Sequence, residues 1–188
     1  MATTSIIPLL DGDAALEAAR GAGLADVLAR VNLFRLTLNH PPIGRIVGDA
    51  VDALVMSSVL DVRLRELAIL RVGWRVGSVY EWSNHYAVAK RAGMSDDDIV
   101  AVRDGEVASL DPAARAVIAV VDEGLDNVAV SRATLEAARA HVGDDRALLE
   151  LVAIPGLYRA IATLLLTFDV PLEDHVAPWA PDGRRPAS

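Results

Sequence analysis

The sequence predicts an all-α protein of about eight helices, and its composition and residue pattern indicate this together. Apolar residues make up 53% of the 188 residues, yet aromatic residues make up only 4%. Much of the apolar content is alanine, valine and leucine. Alanine and leucine favour helices, whereas strands are enriched in aromatic side chains. No stretch shows the convincing apolar–polar alternation that is typical of a half-buried strand.

The first half of the chain shows helical spacing with clear stops. Apolar residues three and four positions apart predict helices over 13–20, 24–38, 43–57 and 61–76. Pro41 and Pro42 end the second helix and begin the third, because proline suits the first helical turn. Asp61 can cap the fourth helix, and Gly77 is a plausible stop for it.

Each predicted helix of the second half follows a residue that favours the start of a helix. The predicted ranges are 78–92, 95–105, 111–125, 131–142 and 144–168, beginning at Ser78, Ser95, Asp111, Ser131 and either Asp144 or Asp145. Pro155 and Gly156 are expected to kink the last helix. We expect a single domain over residues 1–188, with a core over about 24–170 and an irregular, proline-rich arm over 171–188.

Charge and cysteine content exclude several functions. The net charge of −8 argues against a nucleic-acid partner. The chain has no cysteine, which excludes disulfides, thiolate metal sites and thiol redox chemistry.

The sequence also gives expectations about compartment and assembly. We see no signal peptide at the N-terminus, and apolar stretches such as 161–166 are too short to span a bilayer. We therefore expect a cytoplasmic protein without a membrane partner. The apolar content exceeds what one small core hides, which predicts a homo-oligomer.

The segment 66–85, ELAILRVGWRVGSVYEWSNH, gathers ionisable side chains in an apolar part of the chain. Glu81 and His85 are four residues apart and share a helix face. A carboxylate beside an imidazole fixes its tautomer, and such a pair can transfer protons near neutral pH. Glu66 can approach if the two helices fold back at Gly77. The pattern is compatible with a catalytic site.

Structural roles explain the same residues and remain open. Ser78 and Glu81 fit a capping box, and Glu81 with His85 fits an exposed helix pair. Glu66 can pair with Arg63 or Arg65.

A metal site is a weaker alternative. Glu81 and His85 with Glu66 have side chains that ligate divalent ions, but no second histidine lies close in sequence. His40, His141 and His175 are scattered. We expect neither a metal nor a cofactor.

The segment 64–99, LRELAILRVGWRVGSVYEWSNHYAVAKRAGMSDDDI, resembles the carboxymuconolactone decarboxylase family, which includes the alkylhydroperoxidase D-like proteins. The resemblance extends to NLFRLTLNHPP upstream and ALLELVAIPGLYRAIATLLLTFDVPLED downstream, and covers most of 32–174. It implies the multi-helix bundle of that family. It also implies homo-oligomers, often trimers or hexamers, with active sites near subunit contacts.

The resemblance also implies a branch of the family. The peroxidase branch has a glutamate, then Cys-x-x-Cys, then a histidine four residues later. Glu66 and His85 match this pattern, but Ser78 and Glu81 occupy the cysteine positions. The chain is therefore similar to the cysteine-free, decarboxylase-like branch. That branch implies cofactor-free loss of carbon dioxide from a small carboxylated or lactone-type metabolite.

Within that resemblance we expect His85 to donate the proton and Glu81 to orient it, with Glu66 as a second acid/base group or hydrogen-bond partner. Arg71, Arg75 or an arginine of a neighbouring subunit is expected to hold a substrate carboxylate. The other candidate substrate-binding residues are Ser78, Tyr80, Trp82 and Tyr158. An isomerase, a hydratase, another lyase and a non-catalytic oligomer that binds a small molecule remain alternatives.

Overall fold

A computed structural model describes residues 5–103 and 106–187, and within them the chain forms helices and turns without strands. The α-helices are α1 (Gly12–Gly21), α2 (Asn32–Thr37), α3 (Pro41–Val51), α4 (Val62–Arg75), α5 (Val79–Arg91), α6 (Asp96–Val100), α7 (Pro112–Asn127), α8 (Arg132–Val142) and α9 (Asp145–Thr167). Two 3-10 turns, Asp26–Arg30 and Val107–Ser109, and one π turn, Asp52–Met56, complete the set. The all-α prediction is confirmed.

The predicted helix starts are confirmed by their capping geometry. The side chains of Asp61, Ser78, Ser95, Asp111 and Ser131 each accept a hydrogen bond from a backbone N–H of the helix that follows. Such caps satisfy donors that the first turn leaves without helical partners. Local sequence therefore sets where these helices begin.

The single helix predicted over 24–38 is wrong. Val31 is extended, with ψ of 126°, and separates the 3-10 turn from α2. The N–H of Asn32 donates to the carboxylate of Glu173 at 2.9 Å and so is not committed to a helical carbonyl. A long-range contact thus replaces the helical bond at this point.

The other differences concern helix ends. The predicted helix 95–105 ends at Val100, and residues 104 and 105 lie outside the described residues. α9 continues as one helix through Pro155, and the kink expected at Pro155 and Gly156 stays a prediction. The tail from Pro171 to residue 187 forms turns and no helix, and the predicted irregular arm over 171–188 stays a prediction.

One expectation about membranes needs correction. α9 is long and apolar enough, by length and composition, to cross a bilayer, with a mean hydropathy of 1.6 over its best window. In that window 44% of the residues are buried inside the protein. A buried core helix passes the same test, because the same apolar residues fill a protein core.

The chain divides into two compact units. The first contains residues up to 57 and 163–176, and so includes α1, α2 and α3. Within it the Ser5 hydroxyl donates to the carbonyl of Phe168 at 2.8 Å, and Arg35 donates to the carbonyl of Leu10 at 2.7 Å. The buried side chains of α2 include Leu33, Phe34 and Leu36.

The second unit contains residues 58–162 and the C-terminal residues from 177. Its central element is α4, whose residues from Leu64 to Trp74 are all buried. α4 packs against α5 and α7. The predicted single domain, with its core over about 24–170, stays a prediction.

Candidate functional site

The site begins with charged residues inside the buried helix α4. Arg65, Glu66 and Arg71 are buried together with the apolar residues of this helix. A buried charge is costly unless it is paired and hydrogen-bonded. Each of these side chains therefore needs a partner within the fold.

Two glycines bring α5 onto α4. Gly77 has a φ of +71°, a left-handed conformation that glycine adopts without steric cost, and it ends the turn between the helices. A Cβ atom on Gly73 would lie 3.0 Å from the backbone nitrogen of Trp82 and 3.3 Å from Cβ of Glu81. The absence of a side chain at Gly73 thus permits close packing of the two helices.

Glu66 is the partner of His85. Its Oε2 atom lies 2.7 Å from Nδ1 of His85, and its Oε1 atom accepts from Nε of Arg65 at 2.9 Å. Both carboxylate oxygens are therefore hydrogen-bonded, although the side chain is fully buried. Burial favours protonation of Glu66, but the charges and hydrogen bonds of His85 and Arg65 outweigh it and lower its pKa.

Tyr158 occupies the other side of the His85 ring. Its hydroxyl lies 3.3 Å from Nε2 of His85, and the two rings meet edge to face with centroids 5.3 Å apart. Burial, followed by the nearby charges of Glu66 and Glu81, raises the pKa of Tyr158 well above its usual value. Tyr158 therefore remains a neutral phenol, and its O–H can donate to Nε2.

The tautomer of His85 follows from these contacts. Ionised Glu66 can only accept, so Nδ1 of His85 carries the proton that it donates. In the neutral ring Nε2 is then the basic nitrogen. The side chain of His85 is 14% exposed, which leaves this ring more accessible than the fully buried Glu66.

Glu81 does not orient His85, and this corrects the expected pairing. Neither oxygen of the Glu81 carboxyl has a hydrogen-bond partner within residues 5–103 and 106–187, and the residue is 2% exposed. Burial raises its pKa to about 8, while the neighbouring Ser78 hydroxyl lowers it in part without reaching hydrogen-bonding geometry to the carboxyl. The unpaired carboxyl is thus largely protonated at neutral pH.

The capping box at the start of α5 is only half formed. The Ser78 hydroxyl accepts from the backbone N–H of Glu81 at 3.3 Å. The Glu81 side chain does not return a bond, since its carboxyl is unpartnered. Ser78 therefore caps the helix, and this structural role accounts for its position.

The expectation that Arg71 or Arg75 holds a substrate carboxylate also needs correction. Arg71 binds both oxygens of Asp122, at 2.8 and 3.0 Å, and donates to the carbonyl of Val102 at 2.7 Å. Arg75 donates to Asp122 at 2.7 Å and to Asp126 at 2.6 Å. The carboxylates of Asp122 and Asp126 therefore already bind the guanidinium groups that were expected to hold a substrate carboxylate.

The contacts of Trp82 do not support its predicted role as a wall of the substrate pocket. Trp82 is fully buried, and its Nε1–H donates to the carbonyl of Ala180 at 2.7 Å. Its ring lies 5.3 Å from that of Trp74 and 6.3 Å from that of Trp179. Tyr80 is 5% exposed, and its carbonyl accepts from the side chain of Asn84 at 3.2 Å.

Sequence reasoning named Tyr158 but missed its contact with His85, which lies 73 positions away. It also left the partner of Glu66 undecided between Arg63 and Arg65. Arg63 pairs with Asp111 at 2.5 Å, and Arg65 pairs with Glu66. The structure therefore groups Arg65, Glu66, His85 and Tyr158.

Metal ligands are not grouped in the part of the chain that the structure describes. No cluster of three or more histidine, aspartate or glutamate side chains there is arranged to hold an ion. The pair of Glu66 and His85 is completed by an arginine and a tyrosine.

Comparison with known proteins finds a match to one family over part of the chain. Residues 41–123, which contain α4, α5 and most of α7, match the carboxymuconolactone decarboxylase family. The resemblance to the carboxymuconolactone decarboxylase family is confirmed. No protein with curated annotation matches the chain at a significant level.

Solved structures show the same fold. A protein from Ralstonia eutropha JMP134, described as an alkylhydroperoxidase AhpD core and an uncharacterized peroxidase-related protein, superposes with a TM-score of 0.74. The two are 19% identical over 93% of this chain and 95% of that one. An uncharacterized peroxidase-related protein from Silicibacter sp. TM1040 gives a TM-score of 0.65 at 17% identity, over 95% and 91% of the chains. The carboxymuconolactone decarboxylase-like chain thus has the alkylhydroperoxidase D-like fold.

Proposed function

We propose that this protein is a cofactor-independent lyase that removes carbon dioxide from a small carboxylated or lactone-type metabolite, with His85 as the proton carrier. The observation that carries the proposal is the buried 2.7 Å contact between Oε2 of Glu66 and Nδ1 of His85. It fixes the ring and leaves Nε2 as the atom that exchanges a proton with a substrate.

The contact between Nε2 and Tyr158 is suited to displacement. At 3.3 Å it is longer than a normal O–H···N or O–H···O bond, so a substrate group can replace it at small cost. The Nδ1 bond to Glu66 is short and buried, and it persists while Nε2 reacts. Nε2 of His85 and the hydroxyl of Tyr158 then face the same reacting group.

The proposed reaction balances without a further reagent. The C–C bond to the carboxylate breaks, carbon dioxide leaves, and the electron pair enters a conjugated carbonyl to form a dienolate. Protonated His85 delivers the proton from Nε2 to one carbon of the dienolate, and the electron pair closes the new C–H bond. The imidazole regains a proton from water.

Glu66 stabilises the protonated ring during this cycle. Its ionised carboxylate, held by Arg65, lies against Nδ1 in both protonation states of the ring. Neutral Tyr158 can donate a hydrogen bond to the dienolate oxygen. Glu81 is a second neutral acid in the same part of the helix pair.

A thiol peroxidase is a poor description of this chain, although both structural neighbours are described as peroxidase-related. Thiol-dependent peroxide reduction needs a thiolate and forms a disulfide. The sequence has no cysteine. The acid–base pair supports a lyase instead.

An isomerase is the second candidate, and one observation favours it. Arg71 and Arg75 are both engaged by internal carboxylates. A reaction that only moves a proton and a double bond needs no arginine for a departing carboxylate. The same Glu66–His85 pair would serve that reaction.

We also propose that the protein has no nucleic-acid partner, is cytoplasmic and forms a homo-oligomer. The net charge of −8 supports the absence of a nucleic-acid partner. The burial of 44% of the most apolar window of α9 supports its role as a core helix, and we expect the protein to be cytoplasmic. The family resemblance supports a trimer or hexamer.

The test is an assay of carbon dioxide release from a panel of unsaturated carboxylactones and β-keto acids. We expect His85→Gln to lower the rate on an active substrate about a hundred- to ten-thousand-fold, the usual contribution of general acid–base catalysis. His141→Gln replaces an exposed histidine of α8 and serves as the control. Near-normal turnover by His85→Gln with native circular dichroism would contradict the proposal. Deuterium exchange into the panel without carbon dioxide release would identify the isomerase instead.

A further inference from the structure

A second cluster in the same unit surrounds Arg103. Its guanidinium carbon lies 5.0 Å from the ring centre of Trp74 and 4.9 Å from that of Trp82. The arginine is 1% exposed. A cation between two indole faces is stabilised by both ring quadrupoles, most strongly where water is excluded. We call Arg103, Trp74 and Trp82 the arginine cage.

A carboxylate from the C-terminal segment completes this cage. Asp182 binds both terminal nitrogens of Arg103, at 2.8 and 2.9 Å. These charge-assisted bonds to Arg103 hold the pKa of Asp182 at about 2. The Asp182 side chain is nevertheless 51% exposed, whereas that of Arg103 is 1% exposed. The carboxylate thus approaches the buried cation from the solvent side.

The segment that carries Asp182 is short and lies at the end of the chain. Further polar contacts hold it, among them those from Trp82 Nε1–H to the carbonyl of Ala180 and from the N–H of Trp179 to the hydroxyl of Ser83 at 2.9 Å. The ring of Trp179 meets that of Trp74 edge to face, with centroids 6.0 Å apart. The described residues from 177 form turns and belong to no helix or strand.

The cage also has hydrogen-bond donors that Asp182 does not satisfy. Nε of Arg103 and Nε1 of Trp74 are both buried without an acceptor in the described part of the chain. A buried donor without a partner is uncommon and costs stability. The cage therefore offers more donors than the internal carboxylate uses.

We propose that the arginine cage is a binding site for a planar organic carboxylate, which Asp182 occupies in the ligand-free protein. A ligand carboxylate takes the place of Asp182 on the terminal nitrogens of Arg103. Its flat unsaturated or aromatic body packs against the indoles, and a further oxygen can accept from Trp74 Nε1 or Arg103 Nε. This inference does not depend on the proposed function.

The tethered Asp182 sets the affinity of the site. A short tether keeps its carboxylate at an effective concentration in the millimolar range, against which a free carboxylate must compete. Benzoate should therefore bind the wild-type protein weakly. Removing the charge of Asp182 should strengthen binding, which is the opposite of what damage to the fold would do.

Nuclear magnetic resonance of the indole N–H groups gives a readout independent of activity. The chain has three tryptophans, Trp74, Trp82 and Trp179, and all three lie in this cluster. We expect a benzoate titration to shift their signals, with Trp82 changing as its bond to Ala180 is lost. Benzamide, which has the ring without the charge, should not bind.

Two variants and one control test whether benzoate binds at the arginine cage. Asp182→Asn should bind benzoate about tenfold more tightly or better, since a charge-assisted competitor is replaced by a neutral one. Arg103→Lys keeps the charge without the two-point geometry and should lose most of the binding. Asp126→Asn removes a similarly exposed carboxylate that pairs with Arg75 and should leave binding unchanged.

If Asp182→Asn binds benzoate no more tightly than Asp126→Asn, the cage is not a carboxylate site. Benzoate shifts confined to residues away from the three indoles would have the same meaning. In either case the contact of Arg103 with Asp182 only fastens the C-terminal segment.

Discussion

His85 on α5 donates its Nδ1–H to Glu66 on α4 across 2.7 Å, although the two residues are 19 positions apart in sequence. The carboxyl of Glu81, one helical turn from His85 and predicted as its partner, has no hydrogen-bond partner among the described residues. The Glu66–His85 pair is therefore formed between two helices and not along one. Its electrostatic balance depends on Arg65, which neutralises the same carboxylate.

Glu66→Gln should reduce both activity and stability. The variant breaks the buried ion pair of Arg65 with Glu66, which typically costs about 3–5 kcal/mol in the free energy of unfolding. Urea denaturation measures this loss. Glu136→Gln breaks only an exposed contact of 3.7 Å with Arg139 and should cost no more than about 1 kcal/mol. Equal stability of the two variants would contradict a structural role for the Glu66 charge.

The same variant has a defined pH dependence. Folding lowers the pKa of Glu66 from its ordinary value of 4.5. The ionised carboxylate therefore contributes fully to the free energy of unfolding above pH 4.5, and this contribution is lost as pH falls through the lowered pKa. The stability difference between the wild type and Glu66→Gln should therefore narrow below pH 4.5. A difference that is constant down to pH 3 would count against this explanation.

Glu81→Gln should stabilise the protein at alkaline pH. Folding raises the pKa of Glu81 from 4.5 to about 8, so the wild type loses stability as pH rises between these values. At about 1.4 kcal/mol per pKa unit, the variant should gain a few kcal/mol at pH 8 and little at pH 4. Urea denaturation midpoints of the wild type and the variant at pH 4 and pH 8 test this gain in stability. A variant less stable than the wild type at pH 8 would show that the Glu81 carboxylate is paired in solution.

Tyr158→Phe should lower turnover with little change in stability. It removes one hydroxyl at 3.3 Å from Nε2 of His85 and keeps the edge-to-face ring contact. We expect a rate loss of about tenfold or more, because a donor to the reacting group is absent. Tyr86→Phe is the matched control, since its hydroxyl donates to Asp96 at the start of α6 in an exposed contact. Similar turnover rates for the two variants would show that the Tyr158 hydroxyl takes no part in the reaction.

Gly73→Ala should destabilise the helix pair that carries the site. The added methyl would lie 3.0 Å from the backbone nitrogen of Trp82, which cannot move aside as a flexible side chain would. Such overpacking costs about 1–3 kcal/mol, which offsets or exceeds the gain of about 1 kcal/mol in helix propensity. Gly156→Ala in α9 meets nothing within 4 Å and should be neutral or stabilising. Thermal unfolding of both variants measures the difference, and a Gly73→Ala protein at least as stable as Gly156→Ala would refute close packing here.

The protein should be a trimer or hexamer. Large apolar side chains such as Ile46, Met56 and Leu149 are exposed in the isolated chain. Burying them between subunits is favourable. Light scattering at micromolar concentration checks the assembly, and a monomer there would contradict it.

The sequence by itself determined the helices and most of their limits. Capping residues such as Ser78 and Ser131 and the positive φ of Gly77 act within a few residues, so a local pattern predicts them. The family match was also available from local sequence, because residues 41–123 contain the helix pair and its charged residues. Absence of cysteine excluded thiol chemistry without any structure.

Only the tertiary structure decided which charges pair. Glu81 and His85 satisfy the helical spacing rule, but burial of α4 brings Glu66 to Nδ1 and leaves the Glu81 carboxyl unpaired. The break at Val31 likewise depends on Glu173, far along the chain. Spacing along one helix states which side chains share a face, whereas the partner of a buried charge is set by the helix that packs against it.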